Sequence, residues 1–234
     1  MNRRQIVLGA GATIATLGGG CTDRTADTGE RTAEAKDDAI DSEASDDETP
    51  PEETTVEQPD IQILTGAGSS RETVGLEGGV AVVEGAHGGD SRFRIEFRGE
   101  NDETVIFDAD GEHHGKAARS LAPGTYTVDI EADGPWRLEA NQPRATDGYA
   151  LPREFADDRP TVVGPVDFDS QDRHTAVVSH DGDGAFRAHG YSMTESAGVR
   201  IIETTDGEAE SAFRFDGFGW IDIDADGAWT LELE

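Results

Sequence analysis

The sequence predicts an all-β protein: two tandem small β-sandwich repeats, jelly-roll-like, behind an acidic N-terminal stalk without regular structure. Three observations lead there. After Asp60, short runs of Val, Ile, Phe, Thr and Tyr alternate with polar residues and are separated by Gly, Asp and Pro, which is the pattern of strands and turns. No segment carries an apolar stripe at helical spacing over three turns. The body also repeats itself. Gly124 to Glu139 reads GTYTVDIEADGPWRLE, and Gly217 to Glu232 reads GFGWIDIDADGAWTLE, identical at nine of sixteen positions without a gap. Ala81-Val82-Val83 echoes Ala176-Val177-Val178, and Phe93 echoes Phe186, at spacings of 93 to 95 residues. A period of that length is a domain, not a solenoid repeat.

Residues 1–21 have the plan of an export signal: Arg3 and Arg4, then a short apolar run from Ile6 to Leu17, then small residues before Cys21. The run is too short to span a bilayer, which takes roughly 20 apolar residues. Asn2-Arg3-Arg4-Gln5-Ile6-Val7 resembles a twin-arginine export signal. Leu17-Gly18-Gly19-Gly20-Cys21 resembles a lipoprotein processing site, with Leu17 one position further from the cysteine than is usual. The resemblance implies lipid attachment at Cys21, a membrane partner through that lipid, and a place on the extracellular face of the cell membrane. Cys21 is the only cysteine. Once it is lipidated no thiol is left for a disulfide or a cysteine metal site. An ordinary cleaved signal with an incidental thiol is the alternative.

Residues 22–60 hold fifteen acidic and three basic residues, no aromatic and no Leu. Such a segment cannot bury enough apolar surface to offset chain entropy, so disorder is expected. Its 39 residues would have an r.m.s. span of roughly 35 Å as a flexible chain. That suits a stalk that holds the body off a membrane, and equally a linker with no length requirement.

Repeat 1 is expected over 61–143, a connection rich in Pro, Arg and Asp over 144–160, and repeat 2 over 161–234. Seven strands are read in repeat 2, near 162–166, 175–178, 185–191, 199–204, 212–215, 219–224 and 229–233. Strand alternation places Val128, Ile130 and Ala132 inward in the first copy, and Ile221, Ile223 and Ala225 inward in the second. Asp222, Asp224 and Asp226 then face solvent. Asp133-Gly134 and Asp226-Gly227 make the hairpin turns, and Trp136 and Trp229 return to the core.

The net charge is −31, with two lysines (Lys36, Lys116) and 17 arginines. This composition is similar to that of proteins from extreme halophiles, the haloarchaea. At 1 M salt the Debye length is about 3 Å, so a carboxylate-rich surface no longer repels itself and no longer steers partners. No basic patch is available to neutralise phosphates, which argues against nucleic acid as a partner. The ending G-x-Y-x-V-x-I-x-A-D-G-x-W-x-L, Gly124 to Leu138, resembles that of β-sandwich modules of the carbohydrate-binding or pre-peptidase C-terminal kind. These are accessories to adhesion, binding or secretion. The matching residues are core and turn residues, so the resemblance bears on fold more than on function.

Few motifs carry chemistry. Asp222-x-Asp224-x-Asp226-Gly227 matches the first half of an EF-hand loop, but Leu233 stands where the bidentate Glu is needed. An acidic strand face ending in an Asp-Gly turn accounts for it. Asp181, Asp183, Asp108 and Asp110 lie in tight-turn sequences, where a loop calcium is the one cofactor candidate; otherwise neither cofactor nor metal is expected. His87 and His180 occupy equivalent positions and read as turn residues, and no helical H-x-x-x-H is present. G-x-S-x-G, P-loop and dinucleotide fingerprints are absent, so no catalytic residue is assigned. Trp220 breaks the local pattern. It aligns with Thr127 on the outer face, with Phe218 on the same side, and an exposed Trp beside carboxylates is a stacking platform for sugars. Packing inward at a bulge, or against the other copy, are the alternatives. The function expected is a non-catalytic, membrane-anchored binding or adhesion module of the cell envelope, its ligand a glycan or a protein. A spacer lipoprotein without a specific ligand is the runner-up, and a hydrolase comes after that.

Overall fold

The computed structural model describes residues 56–168, 173–193 and 197–234. Arg3, Arg4, Cys21 and the acidic stretch as far as Thr55 lie outside the described residues. What is described is all β, seventeen strands in four sheets.

The first half has eight strands: β1 (Gln62–Ala67), β2 (Ser70–Leu76), β3 (Gly79–His87), β4 (Arg92–Arg98), β5 (Glu103–Asp110), β6 (His113–Leu121), β7 (Gly124–Glu131) and β8 (Pro135–Asn141). They form two four-stranded sheets, ordered β1-β8-β3-β6 and β2-β7-β4-β5. The second half holds β9 (Tyr149–Ala150), β10 (Arg153–Asp157), β11 (Thr161–Phe168), β12 (Arg173–His180), β13 (Phe186–Ser192), β14 (Val199–Thr204), β15 (Glu208–Arg214), β16 (Gly217–Asp224) and β17 (Trp229–Leu233). Its sheets run β10-β17-β12-β15 and β14-β13-β16-β11-β9. Read from β10, the second half has the strand order of the first, a jelly-roll arrangement of two packed sheets. The segment 144–160 is thus more than a connection. β10 pairs with β17 along Arg153–Asp157 and supplies an edge strand. Its alternation is hidden in sequence because Arg153 and Asp157 flank the single apolar Phe155 on the same side of the strand.

Alternation builds one core per half. Phe93, Ile95 and Phe97 from β4 meet Tyr126, Val128 and Ile130 from β7, all buried. Phe186 and Ala188 from β13 meet Ile221 and Ile223 from β16. Trp136 lies flat against Gly66, where an added Cβ would sit 2.4 Å from the ring, so only glycine fits. Its indole N–H donates to the Gly68 carbonyl at 2.8 Å, and that of Trp229 to the Arg159 carbonyl at 3.1 Å, so neither ring buries an unmet donor.

His87 and His180 are not turn residues. They end β3 and β12 and are buried, at 3% and 7% exposure. The His87 ring stacks on Phe93 at 4.8 Å, and that of His180 tilts against Phe186 at 5.8 Å. The turn chemistry belongs to Asp133 instead. Its carboxylate accepts the backbone N–H groups of Asp90 and Ser91 at 3.3 and 3.1 Å, tying the β7–β8 turn to the β3–β4 loop. Asp226 does the same for Gly184 at 2.9 Å.

A third, smaller apolar cluster joins the halves. Val80 and Ala118 from the first half bury Trp220 from the second, with Val82, Val162, Tyr191 and Met193 around them. The β3–β6 side of one sandwich therefore packs on the outer face of β11, β13 and β16 of the other.

Candidate functional site

Trp220 is 4% exposed. The β16 parity is as expected, since the ring faces away from its own core. That outer face is covered by the first half, and a ring closed on both sides cannot stack a sugar. Gly164 and Pro165 bulge from β11 opposite Trp220, so that Val163 pairs with Ile221 and Val166 with Gly219. Phe218 is half-buried, and its ring packs beside Gly148 of the connecting segment. The two aromatics form no shared platform.

Asp222 does not face solvent either: it is buried in the joint at 9% exposure. Its carboxylate accepts the Ala118 N–H at 2.9 Å and an Arg119 guanidinium N–H at 2.5 Å. Burial pushes the Asp222 carboxyl above its usual range, and Arg119 and the Ala118 amide oppose that. The three acids of the EF-hand-like run diverge: Asp222 to Arg119, Asp224 to Arg187, and Asp226 to the Gly184 amide. Asp108 binds Arg92 through both oxygens, at 2.7 and 2.6 Å. Among the described residues no group of three His, Cys, Asp or Glu side chains could hold a metal.

Beside the joint lies a cleft of about 530 Å³ with walls from both halves. Its apolar wall is Val105, Ile106, Phe107 and Ala109 of β5 with Ala117 of β6; its polar rim includes His113, Lys116, Arg119, Arg187, His189 and Tyr191. Three cations (Lys116, Arg119, Arg187) meet three carboxylates (Asp108, Asp222, Asp224), so the cleft is charge-balanced in a chain of net charge −31. Each cation is already paired. Lys116 lies 3.2 Å from Glu84, Arg119 holds Asp222, and Arg187 holds Glu203 at 3.0 Å and Asp224 at 3.3 Å. Burial lowers the pKa of His113, helped by His114 and His87. His189 is also lowered, by burial first, with Asp222 opposing. Both imidazoles are therefore neutral at pH 7. Burial raises the pKa of the Tyr191 phenol, so it stays protonated. The Nε2 of His113 is buried without a hydrogen-bond partner. No Ser, Thr or Cys is among the described lining residues. A wider groove of about 750 Å³ passes Asp157, Asp181 and Trp229, but its walls come from the second half alone.

The faces of the two halves explain why one is covered. On β13 and β16, Arg187, His189 and Tyr191 pair with Asp224, Asp222 and Trp220. On β4 and β7, Arg94, Glu96 and Arg98 pair with Glu131, Asp129 and Thr127. Replacing Glu, Arg and Thr by His, Tyr and Trp makes one face dockable. Sequence reasoning missed the cleft, although aligning the copies column by column would have shown this change.

No protein-family model matches the chain, and no curated protein matches it as a relative. Among solved structures it is similar to a cupin 2 conserved barrel domain protein from Leptotrichia buccalis, at 10% identity and a TM-score of 0.23, over 76% of this chain and 90% of that one. It is also similar to an oxalate decarboxylase from Lactobacillus farciminis, at 8% identity and a TM-score of 0.18, over 74% of this chain and 83% of that one. A Bacillus subtilis oxalate decarboxylase stands at 10% identity and 0.18, over 74% of each. Likenesses at these scores do not extend to a shared activity, metal or ligand.

Proposed function

We propose that the protein is a non-catalytic binding module of the cell envelope, tethered through lipid on Cys21 to the extracellular face of the membrane, and that its ligand site is the cleft between the halves rather than Trp220. The observation that carries this is the charge balance of the cleft, in which every cation and carboxylate of the lining is paired and the imidazoles and the Tyr191 phenol are uncharged. A site with no free charge suits a neutral ligand rich in hydroxyls. Its hydroxyls can share the Tyr191 phenol and the paired guanidiniums and carboxylates, and the apolar wall takes a ring face. A short glycan has that chemistry. In brine, where charge steering is screened, hydrogen bonds and apolar contact are the terms that remain.

The test is retention of the full chain in multimolar KCl on immobilised neutral glycans and on solubilised envelope, with Tyr191→Phe in parallel. Phe keeps the ring that packs at the edge of the joint and removes only the phenol hydroxyl from the cleft. Retention lost in the variant, with melting unchanged, supports the reading. Equal retention by both chains removes the cleft from it, and retention by neither leaves the spacer role.

A further inference from the structure

Because the cleft takes its walls from both halves, whatever fills it also touches both. β5 and β6 contribute Phe107, His113 and Arg119, and β13 and β16 contribute His189, Tyr191 and Asp222. The apolar part of the surface that holds the halves together is small. Among the described residues it buries Val80, Ala118 and Trp220, the Arg119–Asp222 pair crosses beside them, and the Lys116 N–H donates to the Pro160 carbonyl. Each half keeps a separate core. Docking can therefore change while both sandwiches stay folded. The Asp222 carboxylate is the hinge of the arrangement. One oxygen takes the amide of Ala118, inside the apolar cluster, and the other takes Arg119, on the cleft rim. Tyr191 is hydrogen-bonded to Arg119 and packs at the edge of the same cluster.

We propose that the cleft is a clamp: it exists as a binding site only while the halves are docked, and an occupant in turn holds them docked. This rests on the reading of the cleft as a ligand site. By linkage the two effects are one coupling free energy seen from either side. A chain docked a tenth of the time binds about tenfold more weakly, with no lining residue altered.

Val80→Asp isolates the effect. Val80 is fully buried in the joint and is not among the side chains lining the cleft. It points away from the core of its own half, which Ala81 and Val83 enter. The probe is the solubilised envelope fraction together with immobilised neutral glycans, in multimolar KCl. Retention by the natural chain, with a loss of about tenfold or more in Val80→Asp and an unchanged β spectrum, supports the clamp. Equal retention by both overturns the clamp and leaves the binding reading intact. No retention by the natural chain overturns both. Hydrogen exchange at the Ala118 amide gives the reciprocal readout, and it must slow when the probe is bound. If Val80→Asp does not fold, Ala145→Asp at the half-buried rim of the same cluster makes the same comparison.

Discussion

Trp220→Ala separates two descriptions of one ring. As a sugar platform it would cost binding and spare stability; as the centre of the joint it costs stability. The ring is 4% exposed and closes on Val80 and Ala118, so truncation leaves a void between two β-sheets that can only partly relax. Trp→Ala in a packed interior costs about 3–5 kcal/mol, and the lower end suits a joint with solvent at its rim. In a domain of this size each kcal/mol lowers Tm by about 2–4 °C, so a fall of about 6–12 °C is expected for the transition that includes undocking. The aligned control is Thr127→Ala, on the uncovered face of β7, which should stay within about 0.5 kcal/mol. Calorimetry in multimolar KCl reads both. A Trp220→Ala chain that melts within about 1 kcal/mol of the natural one would mean that the ring does not hold the halves together, and the clamp would lose its basis.

Removing one partner of the crossing ion pair should be costly. Asp222→Ala leaves Arg119 facing an apolar joint, for a loss of about 2–4 kcal/mol by denaturant titration, whereas Asp222→Leu combined with Arg119→Met should recover most of it. Stability should fall as pH drops below about 6.5, the ordinary histidine value. His113 and His189 have lowered values in the folded chain, so unfolded chains bind protons first, and the loss levels off only below the folded values. A His113→Phe chain melted across pH 5 to 8 should show a flatter profile, and an unchanged slope would exclude His113 as a source. Gly66→Val drives a side chain into the Trp136 ring and should cost more than about 3 kcal/mol, read as loss of soluble expression or of the near-UV tryptophan signal.

The strands were legible where burial depends only on neighbours in the same sheet pair. Val128, Ile130 and Ala132, and Ile221, Ile223 and Ala225, are all buried as alternation requires. What alternation cannot supply is the environment of the other face. Trp220 and Asp222 were assigned the correct side of β16 and the wrong surroundings, because what covers that side lies about a hundred residues away in Val80, Ala118 and Arg119. The cleft was illegible for the same reason, since it forms where the halves dock. The edge strand β10 was missed because its half-exposed Phe155 sits among Arg153, Glu154 and Asp157, which read as linker composition.

The joint has a consequence for growth. It brings together two unlike faces, so it does not close on itself as a two-fold contact would. Each half keeps its own copy of the face that the other half used, and a third sandwich could in principle be laid on at either end. One end presents Arg71, Arg94 and Arg98 interleaved with Asp129 and Glu131; the other presents Glu154, Glu208, Glu210 and Glu232. Stripping those groups of water would cost more than flat contact returns. Both surfaces stay hydrated, and a few aromatic replacements on either would make it a docking face and turn a finite pair into a fibre.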